Sequence, residues 1–344
     1  MSVADEHGAR RDLQHTTQLV AAACAYPGDS VDNRQYIQRC GFVPQGGWQA
    51  ISEQSGIRRR RWCLPHENTR TLAEAALDRL LQGRPELLGE IDVIVVASGT
   101  TMNMAHPSDP NNPSFADLSS LMLKRLKLTR SLGLDIKACY CTGFLRGMQV
   151  VDGLLANANY RVAVLIASEQ GSRFATSASN RSSFAFLVAD GAGAVAFRRA
   201  EQSSRRGVLD YCGYTDASKL DWVGIGPGAD SITMLGQRAA EATRYMLTEC
   251  GRTLLRRNRM GPDDIDWFVP IQTHRELVDS VTAGLELPPR KLLWMADDIG
   301  FSGSASIPTC LAEHIDRGRI RPGETILSVA VGAGMNCAGA LYRL

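Results

Sequence analysis

The sequence predicts an α/β fold of layered sheets and helices, and three observations carry that prediction. Strand-like and helix-like segments alternate along the 344 residues, the pattern of sheets covered by helices. Near-continuous apolar runs at 91–97, 162–167 and 326–331 are rich in β-branched residues and read as strands buried on both faces. The chain also repeats itself. Ile91-Asp-Val-Ile-Val-Val and Ile265-Asp-Trp-Phe-Val-Pro each follow a helix, and Ala192-Gly-Ala-Val and Ala338-Gly-Ala-Leu close two halves that join near residues 199–207.

Residues 1–18 are polar and carry both signs of charge, which suits neither a signal peptide nor a transit peptide and predicts a lead-in without fixed structure. The two halves follow as residues 19–200 and 207–344. Thr71-Leu-Ala-Glu has the form of a capping box and predicts a helix from there through Leu81. The segment 103–115 contains His106, ends on Phe115 and is rich in Pro and Asn. A long loop of that kind is often functional. Residues 134–138 read as the end of a strand, and from Phe144 the apolar Leu145, Met148, Val151, Leu154 and Leu155 recur at helical spacing. Cys141 therefore falls at a helix N-terminus, where unpaired N–H groups and the helix dipole favour a thiolate. Gly143 keeps that turn slim.

Composition narrows the function. Apolar residues make up 44% of the chain, enough for a sizeable core, but no uncharged apolar run approaches the roughly 18 residues of a membrane span. A net charge of +2 argues against general nucleic-acid binding. Nine cysteines without a pairing pattern, in a chain with no secretion signal, predict reduced thiols and a cytoplasmic location. Cys139 and Cys141 are spaced as C-x-C, but no second Cys/His cluster completes a tetrahedral zinc site, so no metal centre is expected.

The segment Cys141-Thr-Gly-Phe, with Met148, Val150 and Asp152 after it, resembles the nucleophile segment of β-ketoacyl-acyl carrier protein synthase III, in the thiolase-fold superfamily. The likeness continues in order through Ser55-Gly-Ile-Arg58, Ser168-Glu169, Asp190-Gly-Ala-Gly-Ala194, Ile265 to Pro270, Gly318-Arg-Ile-Arg-Pro-Gly323 and Gly339-Ala-Leu-Tyr-Arg343. The resemblance implies a thiolase-like fold: duplicated βαβαβαββ halves in a five-layered α-β-α-β-α sandwich, working as a homodimer. It implies no resident cofactor, with an acyl-CoA or phosphopantetheinyl acyl carrier protein as substrate. Counted from Asp135-Ile136 the family's nucleophile falls on Tyr140, and counted from Gly143-Phe144 it falls on Cys141. Cys139 also resembles the nucleophile of hydroxymethylglutaryl-CoA synthases. The downstream register matches without a gap and favours Cys141.

Departures from the family pattern reshape the expected chemistry. Ile271 stands where the resemblance implies a catalytic His, and Phe301, in Gly300-Phe301-Ser302, stands where it implies an Asn. Those side chains donate to the thioester oxygen as an enolate develops, and such donors are worth roughly 3–4 kcal/mol each in a dry site. Ile and Phe donate nothing, so standard malonyl decarboxylation is not expected. Acylation of Cys141 remains possible, with an oxyanion hole made, by resemblance, of the N–H groups of Cys141 and Ala333.

An amine or hydroxyl acceptor needs a general base. His274 follows Ile271 by three positions and is expected one turn along the next helix, on roughly the same face. His106 is the next candidate, and Asp297 or Asp298 would orient a histidine. Ile271, Phe301, Ser302, His106 and Phe115 form the expected substrate pocket. Glu276 and Ala283-Gly284 stand where the family carries carrier-binding Arg and Lys residues. The family's CoA-gripping Trp and Arg fall at Ala50 and Gln54. Arg58 and nearby Trp48 are therefore the expected carrier or CoA contacts.

The expected function is acyl transfer through Cys141, from a carrier protein or CoA to a small-molecule or carrier-bound acceptor in secondary metabolism. Two alternatives stay open: an unusual carbon–carbon bond former, and a catalytically weak scaffold subunit of a heterodimeric synthase.

Overall fold

The structure, a computed structural model, describes residues 15–41, 47–100, 117–137, 140–175, 183–201, 206–225 and 231–344. The first half runs β1 (His15–Ala25), β2 (Asp29–Asp32), α1 (Asn33–Cys40), α2 (Gly47–Ser55), β3 (Arg59–Trp62), α3 (Thr69–Gly83), β4 (Val93–Ala97), α4 (Leu118–Leu126), β5 (Leu132–Ile136), α5 (Gly143–Leu155), β6 (Val162–Gln170), α6 (Ser172–Ala175) and β7 (Asp190–Glu201). The second half runs β8 (Gly207–Thr215), β9 (Val223–Ile225), β10 (Ile232–Met234), α7 (Gly236–Asn258), β11 (Trp267–Phe268), α8 (Arg275–Gly284), α9 (Ala296–Ile299), α10 (Ser306–Asp316), β12 (Thr325–Gly332) and β13 (Asn336–Arg343).

The buried runs become central strands, and their alternation divides two cores. On β4, Val93, Val95 and Ala97 face α5, while Ile94 and Val96 face the opposite side with Leu72, Leu77 and Leu80 of α3. β6 repeats this, with Ala163, Leu165 and Ala167 on one side and Val162, Val164 and Ile166 on the other. Period-two side-chain geometry turns an all-apolar strand into the wall between two cores.

The larger sheet has the order β1-β7-β6-β4-β5, and the second has β8-β13-β12-β11 when read from its matching end. In each, a parallel pair (β4 with β6, β11 with β12) is followed by two antiparallel pairs. A fifth position exists in the second half only as a bridge, Phe268 to Leu292. The α3 and α4 helices cover one sheet, α5 and α10 lie in the middle, and α7 with α8 covers the other sheet. This is the five-layered thiolase arrangement.

The repeated Ala-Gly-Ala has a packing cause. A Cβ on Gly193 of β7 would come within 2.7 Å of Pro308 on α10, and one on Gly339 of β13 within 2.6 Å of Cys250 Sγ on α7. Helices rest on both strands at the same point of the repeat.

Local expectations need correction at two places. His15 to Gln18 pair with Arg198 to Glu201, so β1 starts inside the expected lead-in; residues 1–14 lie outside the described residues. The α3 helix starts at Thr69, not Thr71. Its cap is Asn68, which accepts from the N–H groups of Arg70 and Thr71 while Thr71 Oγ1 accepts from Asn68 N–H; Thr71 closes the box from its third position. Within the arginine run 58–61, Arg58 and Arg59 are exposed and Arg60 is fully buried. Its guanidinium lies over the rings of Tyr36 (4.9 Å) and Phe186 (4.6 Å), and Nη2 donates to Asn33 Oδ1 at 2.7 Å.

Candidate active site

The turn that carries Cys141 joins β5 to α5. Tyr140 adopts a left-handed conformation (φ 64°), rare for a bulky residue, and Cys141 follows immediately before Thr142, the N-cap of α5. The Tyr140 ring lies in a slot bordered by glycines. A Cβ on Gly99 would lie 2.8 Å from ring carbon Cδ2, and one on Gly303 2.6 Å from Cζ. Phe301 closes the slot edge-on, with centroids 6.1 Å apart. The tyrosine packing against this slot holds the strained backbone that turns Cys141 toward the cavity.

Behind the turn lies a buried carboxylate. Glu169, near the end of β6, accepts from Gly99 N–H (2.9 Å), Thr100 N–H (3.0 Å), Thr100 Oγ1 (2.7 Å) and Ser304 Oγ (2.6 Å). Burial pushes its carboxyl up to about 7, against the pull of those donors. Ser304 belongs to the second half and lies against Gly143 at the base of α5, so Glu169 joins both halves beneath the turn that carries Cys141.

In front of the turn is a cavity of about 630 Å³ bordered by Cys141, Ile271, His274, Phe301 and Ala333. Phe184, Leu187, Met234 and Val331 extend its apolar wall, and Gln54, Gln237, Thr243, Arg244 and Glu276 give it a polar rim. Phe301 is fully buried, with Phe184 edge-on at 5.6 Å.

His274 reaches this cavity by a different route from the one the spacing suggests. It is the N-cap of α8, in extended conformation (φ −128°, ψ 123°), and lies outside the helix. The loop before it is fixed by Gln272, whose amide donates to the Pro270 and Leu293 carbonyls and accepts from Met295 N–H. Burial lowers the imidazole below its ordinary range, while Glu276 opposes that shift. A neutral imidazole is thereby favoured, the form that can take a proton.

The family profile described as 3-oxoacyl-[acyl-carrier-protein (ACP)] synthase III matches residues 134–217, and the profile of its C-terminal region matches 255–344. The β-ketoacyl-[acyl-carrier-protein] synthase III of Rhodospirillum centenum is 30% identical over 301 residues, covering 85% of this chain and 89% of the relative. The chain belongs to the synthase III family. The 3-oxoacyl-[acyl-carrier-protein] synthase III of Aquifex aeolicus VF5 superposes with a TM-score of 0.84 at 22% identity, over 95% of this chain and 100% of that one. A priming β-ketosynthase from the R1128 polyketide biosynthetic pathway superposes with a TM-score of 0.83 at 22% identity, over 98% of each chain. This synthase III relative is accordingly an enzyme of the acyl-enzyme condensing type.

Other residues singled out in the sequence fall elsewhere. Ser302 is buried, yet it does not border the cavity; it lies behind the wall, against Gly191 of β7. Asp297 and Asp298 orient no histidine, because both pair with Arg58, at 3.0 and 3.1 Å. Trp48 lies on α2 outside the cavity lining, whereas Gln54 of that helix is part of it. His106, Phe115 and Cys139 lie outside the described residues. The rim residues of α7 went unread. Gln237, Ala240 and Arg244 recur at helical spacing, but only the structure turns that face toward Cys141.

Proposed function

We propose that this synthase III relative is an acyltransferase in secondary metabolism. It loads an acyl group from an acyl-carrier protein or acyl-CoA onto Cys141 and passes it to a hydroxyl or amine acceptor. The carrying observation is that Cys141, His274 and Ala333 border one cavity whose wall at positions 271 and 301 is hydrocarbon. The thiolate bonds to the thioester carbon, and the tetrahedral oxyanion is received by the N–H groups of Cys141 and Ala333. The donor's C–S bond then breaks and its thiolate leaves with the electron pair. In the second half-reaction His274 takes the acceptor's proton as the acceptor attacks, and Cys141 departs as thiolate.

Ile271 and Phe301 supply no donor for an enolate, which argues against malonyl decarboxylation. The likeness to a priming β-ketosynthase of a polyketide pathway supports the placement in secondary metabolism. Arg58 and Trp48 as donor contacts, a homodimeric state and a cytoplasmic location belong to the same proposal, and the reaction needs no resident cofactor. No described helix is long and apolar enough to cross a membrane.

A second reading, carbon–carbon bond formation with His274 or a partner residue as base, is favoured by the condensing activity in the relatives' names. The deciding experiment incubates the protein with a panel of acyl-CoAs and acyl-carriers and reads intact mass, then adds candidate acceptors. A thioester adduct that is discharged onto oxygen or nitrogen supports acyl transfer. Discharge onto carbon supports the second reading, and no adduct with any donor refutes both.

A further inference from the structure

The two N–H groups of the oxyanion hole come from different halves of the chain. One is on Cys141 at the start of α5, and the other is on Ala333 in the turn between β12 and β13. Both must lie roughly 2.7–3.1 Å from a single oxygen, so something has to fix that turn against the α5 N-terminus. Thr142, directly after Cys141, is fully buried, and its Oγ1 donates to Asn336 Oδ1 at 3.2 Å. Arg146, one turn along α5, donates to the same oxygen from Nε (3.4 Å) and to the Cys337 carbonyl from Nη2 (2.8 Å). Asn336 Nδ2 donates to Thr215 Oγ1 on β8 at 2.6 Å. Asn336 opens β13 and pairs with Gly332 across the turn that carries Ala333.

We propose that Asn336 is a positioning residue that fixes the turn carrying Ala333 to the nucleophile helix, and so holds the oxyanion hole in register. The inference rests on the reading of Cys141 and Ala333 given above. Asn336 itself lies outside the cavity lining and touches no reacting atom. An amide suits the task because its oxygen accepts from two donors while its nitrogen donates to a third partner. Leucine at 336 would remove all three contacts and leave the backbone pairing of the hairpin intact. A displacement of about 1 Å at such a site can cost 10²-fold in rate.

The test separates a reaction that needs the hole from one that does not. Alkylation of Cys141 by iodoacetamide passes through no oxyanion. Acylation by octanoyl-CoA, or by p-nitrophenyl octanoate, which needs no carrier recognition, does. For Asn336→Leu the expected result is alkylation within about twofold of wild type, read at Cys141 by peptide mapping, and acylation at least tenfold slower. Thr142→Val should show the same split to a smaller degree, and Thr142→Ser, which keeps the hydroxyl, should restore the rate. If Asn336→Leu does not fold, the Val and Ser pair at 142 decides. Wild-type acylation rates in Asn336→Leu and Thr142→Val overturn this inference alone. So does a parallel fall in both reactions, which would mean a general loss of structure or of thiolate. A wild-type protein that alkylates at Cys141 yet accepts no acyl group from either donor overturns the reading of the site, and this inference with it.

Discussion

Both halves of the chain bring a strand-to-helix turn against the same cavity, but the turns differ. In the first half, β5 is a five-residue strand paired in register with β4, and the turn after it delivers Cys141. In the second half the equivalent strand is a single bridge at Leu292, and the chain reaches α10 through Phe301, whose ring packs on Tyr140. The duplication supplies two equivalent frames, and the chemistry uses them unequally. One presents Cys141 in the turn after a paired strand, and the other presents a wall. Under the proposed function the polar groups beside the reacting carbonyl are backbone N–H groups and His274, which borders the cavity from the N-cap of α8.

The largest expected effect removes the feature that the first half has and the second lacks. Cys141→Ala should abolish acyl-enzyme formation, with no adduct detectable by intact mass. A thioester adduct on Cys139 that persists in that variant would transfer the nucleophile to the other register. The wall can be challenged next. Since the side chains at 271 and 301 are hydrocarbon, release of CO2 from malonyl-carrier should stay well below about 1 s⁻¹, the slow end of ordinary turnover. A faster rate would mean that another group stabilises the enolate.

How much of this asymmetry could be read in the chain follows from the range of the interactions. The buried strands, the repeat and the helix after Cys141 were legible because they are written in local periodicity. The joint placement of Cys141, Ile271, His274 and Phe301 was legible only through family resemblance, since no local pattern brings residues so distant in sequence together. What escaped was set by tertiary contact. His274 was expected on a helix, but the helix begins one residue later and the loop is held by Gln272. Nothing local in Arg58 to Arg61 reveals that Arg60 stacks on Tyr36 and Phe186. Glu169 appeared only as part of a matching motif, and its buried donors come from two separate segments, one at Gly99-Thr100 and one at Ser304.

In the proposed reaction His274 is the side chain through which the second half acts, and its expected effect is smaller. His274→Ala should leave acylation of Cys141 largely intact and slow transfer to the acceptor at least tenfold, within the 10²–10⁴-fold range typical of general bases. Because burial lowers the imidazole, the neutral base should already predominate at pH 7. The transfer rate should then be flat between about pH 7 and 8 and fall only in acid, below the usual histidine range near 6.5. An inflection above pH 7 in single-turnover transfer would remove His274 from this role.

The slot between the two turns predicts an effect on stability. Gly303 has φ 54°, and a Cβ there would lie 2.6 Å from Tyr140 Cζ. Gly303→Ala should cost on the order of 1–3 kcal/mol, as overpacking does. Adding Tyr140→Gly should recover part of that cost, because it removes the clashing ring. Additive losses in denaturant unfolding would mean that the glycine is there for its backbone angle only.

The last expected effect concerns Glu169, which ties the two turns together from below. Its carboxyl sits at about 7 in the folded protein against an ordinary value of 4.5, because burial disfavours the charge more than the four donor groups favour it. The folded state therefore holds this proton through a range where the unfolded chain has lost it. By linkage, the contribution of Glu169 to stability is fully present below about pH 4.5 and is lost as pH rises through about 7. Asp190, raised by burial to about 6, acts in the same direction, but it is present in both wild type and Glu169→Gln and cancels in their difference. Glutamine turns an N–H donor toward other donors and should lower stability by a constant amount, so the informative quantity is the slope. Measured by denaturant midpoint from pH 4.5 to 7.5, the stability advantage of wild type over Glu169→Gln should shrink steadily. A difference that stays constant, or widens with pH, would show that the donors from Gly99, Thr100 and Ser304 hold Glu169 ionised in the folded protein, a permanent anion joining the two halves beneath Cys141.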